Sequence, residues 1–272
     1  MRAENEAFVH QLLVKHAGVS FLGEQSGVLV SRLASLAKMR NLESADALVG
    51  TLRTSPSQGL LDSVIEALTT HETSFFRDPA TYNALGDVVL PALIKRRAPQ
   101  RTLSIWSAGC ATGQEAYSMA LLLHERFPEL ATWQVRIWGT DVSRSVVERA
   151  KEGRYNELEV RRGLSAAALE KYFVKVADQF QLREPVRRMV RWDVMNLTAA
   201  WPLLAPFDLI LMRNVLIYFS PELRSSTLAR TAAHLSSDGY LVLGTSETTF
   251  GSSREFVPNV LQGATLYRRV AK

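Results

Sequence analysis

Apolar residues recur at helical spacing near the N-terminus, in Val9, Leu12 and Leu13 and again in Leu29, Leu33, Leu36 and Ala37. That spacing predicts amphipathic helices over residues 4–69, with no strand among them. Ser44 fits the N-cap of a short helix over 45–52; Thr54-Ser55-Pro56-Ser57 breaks the chain, and 58–68 resumes a helix. From about residue 100 the pattern changes. Residues 102–106 read as a short apolar strand, followed by a turn of small residues and a helix over 114–127. A second strand over 134–138 precedes a helix over 143–152, and 190–194, 207–212, 240–243 and 265–270 are further strands. Strands separated by helices imply a parallel sheet with right-handed crossovers. The expectation is a doubly wound α/β domain behind a small all-helical one.

Composition narrows the class without changing that picture. The chain has 272 residues, 47% hydrophobic and 22% charged, an ordinary globular balance. No stretch approaches the roughly 18 apolar residues of a membrane span, and Met1-Arg2-Ala3-Glu4-Asn5-Glu6 lacks a signal-peptide core. A cytoplasmic protein without membrane insertion is expected. The single cysteine, Cys110, excludes an internal disulfide framework and a cysteine-only zinc cage.

Charge adds more. The net charge is +5, but residues 1–70 carry 6 basic and 7 acidic side chains, whereas 144–191 carry 12 and 7. The excess lies mid-chain, where Arg183, Arg187, Arg188 and Arg191 cluster. Such a cluster suits a polyanion, either nucleic acid or an acidic protein surface, though it equally describes a solvated face.

The strongest local signal is the run from Ile105 through Gly109, Cys110 and Gly113 to Glu115, where a strand turns into a helix. Small residues there let a ligand approach the backbone, and the helix start offers unpaired N–H groups. The next strand ends in Asp141, 28 residues after Gly113. An acid at that place in a βαβ unit accepts hydrogen bonds from ribose hydroxyls, so a ribose-bearing cofactor is expected, with NAD and S-adenosylmethionine both open. Asp141 could instead cap the following helix, although Ser143 is equally placed for that. Two other strands run into polar residues, at Arg213-Asn214 and at Asp193 to Asn196, and strand carboxyl ends face the ligand crevice in open α/β sheets.

Three runs in order, His71-Glu72-Thr73-Ser74-Phe75-Phe76-Arg77-Asp78, Trp106 to Glu115, and Arg213-Asn214-Val215-Leu216-Ile217-Tyr218-Phe219, resemble the chemotaxis receptor methyltransferase (CheR) family. Ser31-Arg32-Leu33 resembles its helical domain. The resemblance implies three segments: an N-terminal helical domain over 1–70, a linker over 71–99 carrying a cofactor motif, and a Rossmann-like class I methyltransferase domain over 100–272. A small β-subdomain insert is expected over 174–192. The implied reaction is S-adenosylmethionine-dependent methylation of glutamate carboxylates on cytoplasmic signalling helices of chemoreceptors, leaving S-adenosylhomocysteine. Carried over by position, Thr73 and Arg77 meet the cofactor's methionine end, and Glu115 its amino group. Asp141 meets the ribose, Asn196 and Leu197 the adenine, and Gly109, Asn214 and Val215 complete the contacts. Position 71, often asparagine in the family, is His71 here.

A receptor glutamate has a pKa near 4.3 and is ionised at neutral pH, so it needs no general base. No metal is expected, and Arg213 and Tyr218 are the candidates for orienting the substrate carboxylate. Arg183, Arg187, Arg188 and Arg191 are the candidate receptor-binding residues. Because Pro185 cannot donate to a strand ladder, the insert is expected not to bind a receptor C-terminal tether peptide. A monomer that binds no nucleic acid is expected. The competing readings are an RNA or small-substrate methyltransferase, and a non-catalytic module that senses the cofactor and binds receptors.

Overall fold

The computed structural model describes residues 1–19 and 26–270; the part of the predicted helical stretch over 20–25 lies outside them. The N-terminal domain comprises α1 (Ala3–Ala17), α2 (Ser26–Met39), α3 (Ala45–Thr54) and α4 (Gln58–Leu68). Ser44 and Ser57 cap α3 and α4 by accepting from Ala47 N and Leu60 N at 3.1 and 3.2 Å. The predicted apolar stripe closes a separate core in which Val9, Leu13, Leu33, Leu48 and Val64 are fully buried.

Residues 71–99 are more than a linker. After an irregular stretch they form α5 (Pro79–Ala84), a π-helical turn (Leu85–Val89) and α6 (Leu90–Arg97). Tyr82, Leu85, Val89, Leu90 and Leu93 are buried in the core of the α/β domain. Pro91 explains the π turn: its ring would crowd the carbonyl four residues back, and a widened turn relieves this.

The main sheet contains β1 (Thr102–Ala108), β2 (Gln134–Asp141), β6 (Val190–Val194), β7 (Phe207–Met212), β8 (Leu235–Leu243), β9 (Phe256–Leu261) and β10 (Ala264–Arg269). Its order is β6-β2-β1-β7-β8-β10-β9, parallel from β6 to β8 and closed by the antiparallel β9–β10 hairpin. Helices α7 (Gln114–Arg126), α8 (Arg144–Glu152) and α12 (Pro221–His234) flank it. The order reverses between β1 and β7, which opens a crevice at their carboxyl ends.

The insert differs from its predicted bounds. Its sheet joins β3 (Arg154–Tyr155), β4 (Phe173–Val176) and β5 (Gln179–Leu182) in the order β3-β5-β4, with α9 (Glu157–Arg161) and α10 (Ala166–Tyr172) between. Residues 190–192 belong to β6 of the main sheet. Pro185 sits in the first turn of α11 (Glu184–Arg187), where a missing N–H costs nothing. It therefore leaves the outer edge of β4 open and does not block strand addition there.

Opposite the crevice, Arg97 Nε meets Asp208 Oδ1 at 2.6 Å and its Nη2 meets Asp238 Oδ1 at 2.5 Å, which staples α6 to the amino end of β7 and the start of β8. Asp208 Oδ2 also accepts from Ser104 N at 2.9 Å. Hydrogen bonding to Arg97 holds the Asp238 carboxyl below its ordinary 3.8. A depressed acid stabilises the fold above its unfolded pKa and loses that contribution as pH falls through the folded one. Asp238→Asn should thus cost about 1 kcal/mol at neutral pH, and its melting curve should converge with the wild type's in acid. Thermal unfolding at several pH values checks this; a gap that does not narrow as pH falls from neutral into acid contradicts it. No helix among the described residues is long and apolar enough to cross a membrane.

Candidate functional site

The crevice holds two adjoining chambers of about 590 and 620 Å³, counting space open to solvent, with Thr70, Gly109, Asn214 and Tyr218 lining both. The first chamber gathers His71, Asp141, Asn196, Leu197 and Val215, and Ala17 and Val19 of the helical domain form part of its wall. The second gathers Thr73, Arg77, Glu115 and Arg213, with Glu72 and Ile217 also at its wall. Every cofactor candidate read from the sequence thus reaches one crevice.

Its floor is the turn between β1 and α7. Gly109 N and Cys110 N donate to Thr140 O at 2.8 and 2.9 Å, tying the turn to the end of β2. Gly109 has φ +73°, and a Cβ there would lie 2.5 Å from Val215 Cγ2. Glycine is required both by the left-handed backbone and by the close approach of the β7 loop. Asp141 is buried: its Oδ2 accepts from Ala111 N at 2.9 Å and its Oδ1 from Ser143 N at 3.0 Å. Ser143 is the N-cap of α8, which frees Asp141 from that task. A carboxylate has about four acceptor sites, so each oxygen keeps one for a ligand in the first chamber.

The second chamber is built around buried charge. The Arg213 side chain is 2% exposed and meets Asp78 Oδ2 at 2.5 Å and Glu115 Oε2 at 3.3 Å. Its Nη2 also donates to Arg77 O at 2.9 Å, which leaves Nε as the one guanidinium nitrogen without a partner. Ser107 Oγ donates to Glu115 Oε1 at 2.7 Å. Burial pushes the Glu115 carboxyl above its ordinary range, and Arg213 opposes that rise. Arg77 makes one weak internal bond, from Nη1 to Glu72 O at 3.3 Å, so most of its donors remain available. Asn214 has φ +58°, and its buried Oδ1 has no partner. An unpaired buried acceptor beside an open chamber calls for a ligand donor.

None of the four arginines read as a patch reaches the crevice. Arg183 borders a groove of the β-subdomain, Arg187 and Arg188 border a shallow dip against α8, and Arg191 with Arg188 borders a groove along β2 and β6. Arg187 is tied to Glu184 and to Glu152 O, and Arg191 to Asp193 at 2.9 Å. Sequence reasoning also missed Asp78, which anchors Arg213, and Glu247, which organises the β7 loop. Glu247 follows the carboxyl end of β8, the same positional signal that pointed to Asn214.

Residues 71–262 match the family model described as CheR methyltransferase, SAM binding domain. The chain is 37% identical over 240 residues to "Chemotaxis protein methyltransferase 1" of Vibrio cholerae, and 38% identical over 240 residues to the protein of that name from Pseudomonas aeruginosa, covering 86% of each partner in both cases. Among solved structures, a TehB-like SAM-dependent methyltransferase from Corynebacterium glutamicum matches 71% of this chain and 96% of its own, at 16% identity and a TM-score of 0.39.

Proposed function

The chain belongs to the CheR methyltransferase family, whose matched domain binds S-adenosylmethionine, and from that premise we propose that it methylates glutamate side chains of cytoplasmic chemoreceptor domains. The observation that carries this reading is the two-chamber crevice, which gathers a buried ribose-type acid, an available arginine and a tyrosine at the junction. The relatives' names, chemotaxis protein methyltransferases, support a substrate in chemotaxis.

The residues suit the cofactor part by part. Asp141 would accept from ribose hydroxyls, with Asn196 and Leu197 beside the adenine and His71 at the same chamber wall. Arg77 would pair with the methionine carboxylate, a task for which a guanidinium fork is shaped. Glu115 and Thr73 would face its amino group, and Gly109, Asn214 and Val215 would frame the passage between chambers. When bound, S-adenosylmethionine supplies a methyl group on a cationic sulfur. A glutamate carboxylate is already ionised and needs no base. Charge is lost as the anion takes the methyl group, so a site with few waters favours the reaction. Tyr218 stands where both chambers meet and would donate to the substrate carboxylate to align it. Arg213 is held by Asp78, Glu115 and the Arg77 backbone, so it acts by placing Arg77 and Glu115.

The test is transfer of tritiated methyl to receptor-rich membranes and to total RNA. Base-labile label on receptors, released as methanol, is expected; stable label on RNA would overturn the reading. For docking, the exposed Arg183 and Arg188 would meet the acidic receptor surface through screened contacts. Replacing both by glutamate should raise the receptor KM severalfold and leave cofactor affinity unchanged. Receptor methylation indifferent to this reversal and to salt would exclude that contact. Submicromolar binding of an isolated receptor C-terminal peptide would instead place docking at the open β4 edge.

A further inference from the structure

We propose that Glu247 is a positioning residue for methyl transfer, holding the β7 loop that forms the passage between the two chambers. The inference rests on reading the crevice as the methyl-transfer site. Glu247 is buried and lines neither chamber. Its carboxylate nevertheless accepts four backbone N–H groups. Oε2 takes Asn214 N and Gly244 N, both at 2.7 Å, and Oε1 takes Val215 N at 2.9 Å and Ile217 N at 3.2 Å. One side chain thereby ties the carboxyl end of β8 to the loop that leaves β7.

The backbone is shaped to receive it. Asn214 is left-handed at φ +58° while Val215 is right-handed at φ −115° and ψ −48°. Residues alternating in that way point successive N–H groups into one concavity, an anion nest. Here the anion is the protein's own. Gly244 allows the approach: a Cβ there would lie 2.8 Å from both Asn214 Nδ2 and Glu247 Oε2.

The consequences run into the crevice. Fixing Val215 N places Val215 Cγ2 against Gly109, the floor of the cofactor turn. Fixing Asn214 N holds Asn214 in its left-handed turn, with its unpaired Oδ1 beside both chambers. The Ile217 bond secures the short 3-10 turn (Leu216–Tyr218) and with it Tyr218. Without the carboxylate, three N–H groups of the loop lose their acceptor and the strained turn loses what holds it.

The experiment compares Glu247→Gln with Asp238→Asn, which lies at the opposite end of the sheet, at a temperature where circular dichroism shows both folded. Glu247→Gln keeps the shape but turns an amide NH₂ toward two N–H donors. It is expected to weaken S-adenosylhomocysteine binding at least tenfold by calorimetry and to lower kcat more than it changes the receptor KM. Asp238→Asn should leave both near wild type, and Glu247→Asp, which keeps the charge, should recover part of the affinity. Should Glu247→Gln fail to fold, Glu247→Asp is read in the same assays and must show a smaller loss of the same kind. Wild-type product affinity and kcat in a folded Glu247 variant, or equal losses in Asp238→Asn, would overturn the proposal. The product-binding arm needs no receptor, so it stands apart from the identity of the methylated group, which the wild-type label assay decides.

Discussion

Arg213→Ala is expected to cost about 3–5 kcal/mol of stability and to abolish measurable methyl transfer. The side chain is 2% exposed and lies between Asp78 and Glu115, so removing it leaves Glu115 in a site that already disfavours its charge and takes from Asp78 its buried partner. Breaking a buried pair costs more than the pair contributes, because the remaining ion is uncompensated. The loss should depend on pH in a defined direction. Burial raises the Glu115 carboxyl above its ordinary 4.5, and Arg213 opposes that rise, so the alanine variant raises it further. A raised acid favours the fold in its neutral form, fully below the unfolded pKa, and loses that contribution as pH rises through the folded one. The variant's deficit should be smallest in acid and grow toward neutrality, which thermal unfolding across that range reads directly. Arg213→Lys should recover little, since a point charge cannot serve Asp78, Glu115 and the Arg77 carbonyl together. A melting temperature near wild type at neutral pH in the alanine variant would show that the buried charges find other partners.

The parts of this architecture that were legible in the sequence are those governed by local periodicity. The strands at 190–194 and 207–212 and the helix at 58–68 lie where the apolar pattern places them. The glycine turn and Asp141 were legible because a strand, a turn and an acid at fixed separation form one unit. The helical run from Pro79 to Arg97 was not, because Pro79, Gly86 and Pro91 punctuate it as a loop would. In the fold Pro79 opens the first turn and a π turn absorbs Pro91. Helix α12 hid for another reason: its buried face includes Thr227 and Thr231, which weaken the apolar stripe.

In the site, polar strand ends pointed correctly to the crevice, but partners distant in sequence stayed hidden. In the sequence Arg213 is a candidate for orienting the substrate carboxylate, and only the fold brings Asp78 across 135 residues to hold it. Glu247 stands among serines and threonines in the sequence, and only the packing of β7 beside β8 gives it four donors. Local pattern finds the groups that face a ligand. It does not find the groups that hold them.

Asp141→Ala tests the claim made first from the sequence. The carboxylate bridges Ala111 N, in the cofactor turn, and Ser143 N, at the start of α8, and keeps acceptor capacity for the ribose. Hydrogen bonds to a charged group are worth roughly 1.5–3 kcal/mol, which converts to a loss of about 10- to 100-fold in S-adenosylhomocysteine affinity. Part of that loss is indirect, because Ala111 sits at φ +48° and Asp141 secures that conformation. Asp141→Asn separates the two contributions. Its amide oxygen can still accept from one backbone N–H, while its NH₂ turns a donor toward the other or toward the ribose, so an intermediate affinity is expected. Ser143 retains the helix cap in both variants, so the melting temperature should move far less than in Arg213→Ala. Calorimetric titration with S-adenosylhomocysteine reads the first effect and thermal unfolding the second. Unchanged affinity in the alanine variant would remove Asp141 from the cofactor site, and would leave it the purely structural task of joining the β1 turn to α8.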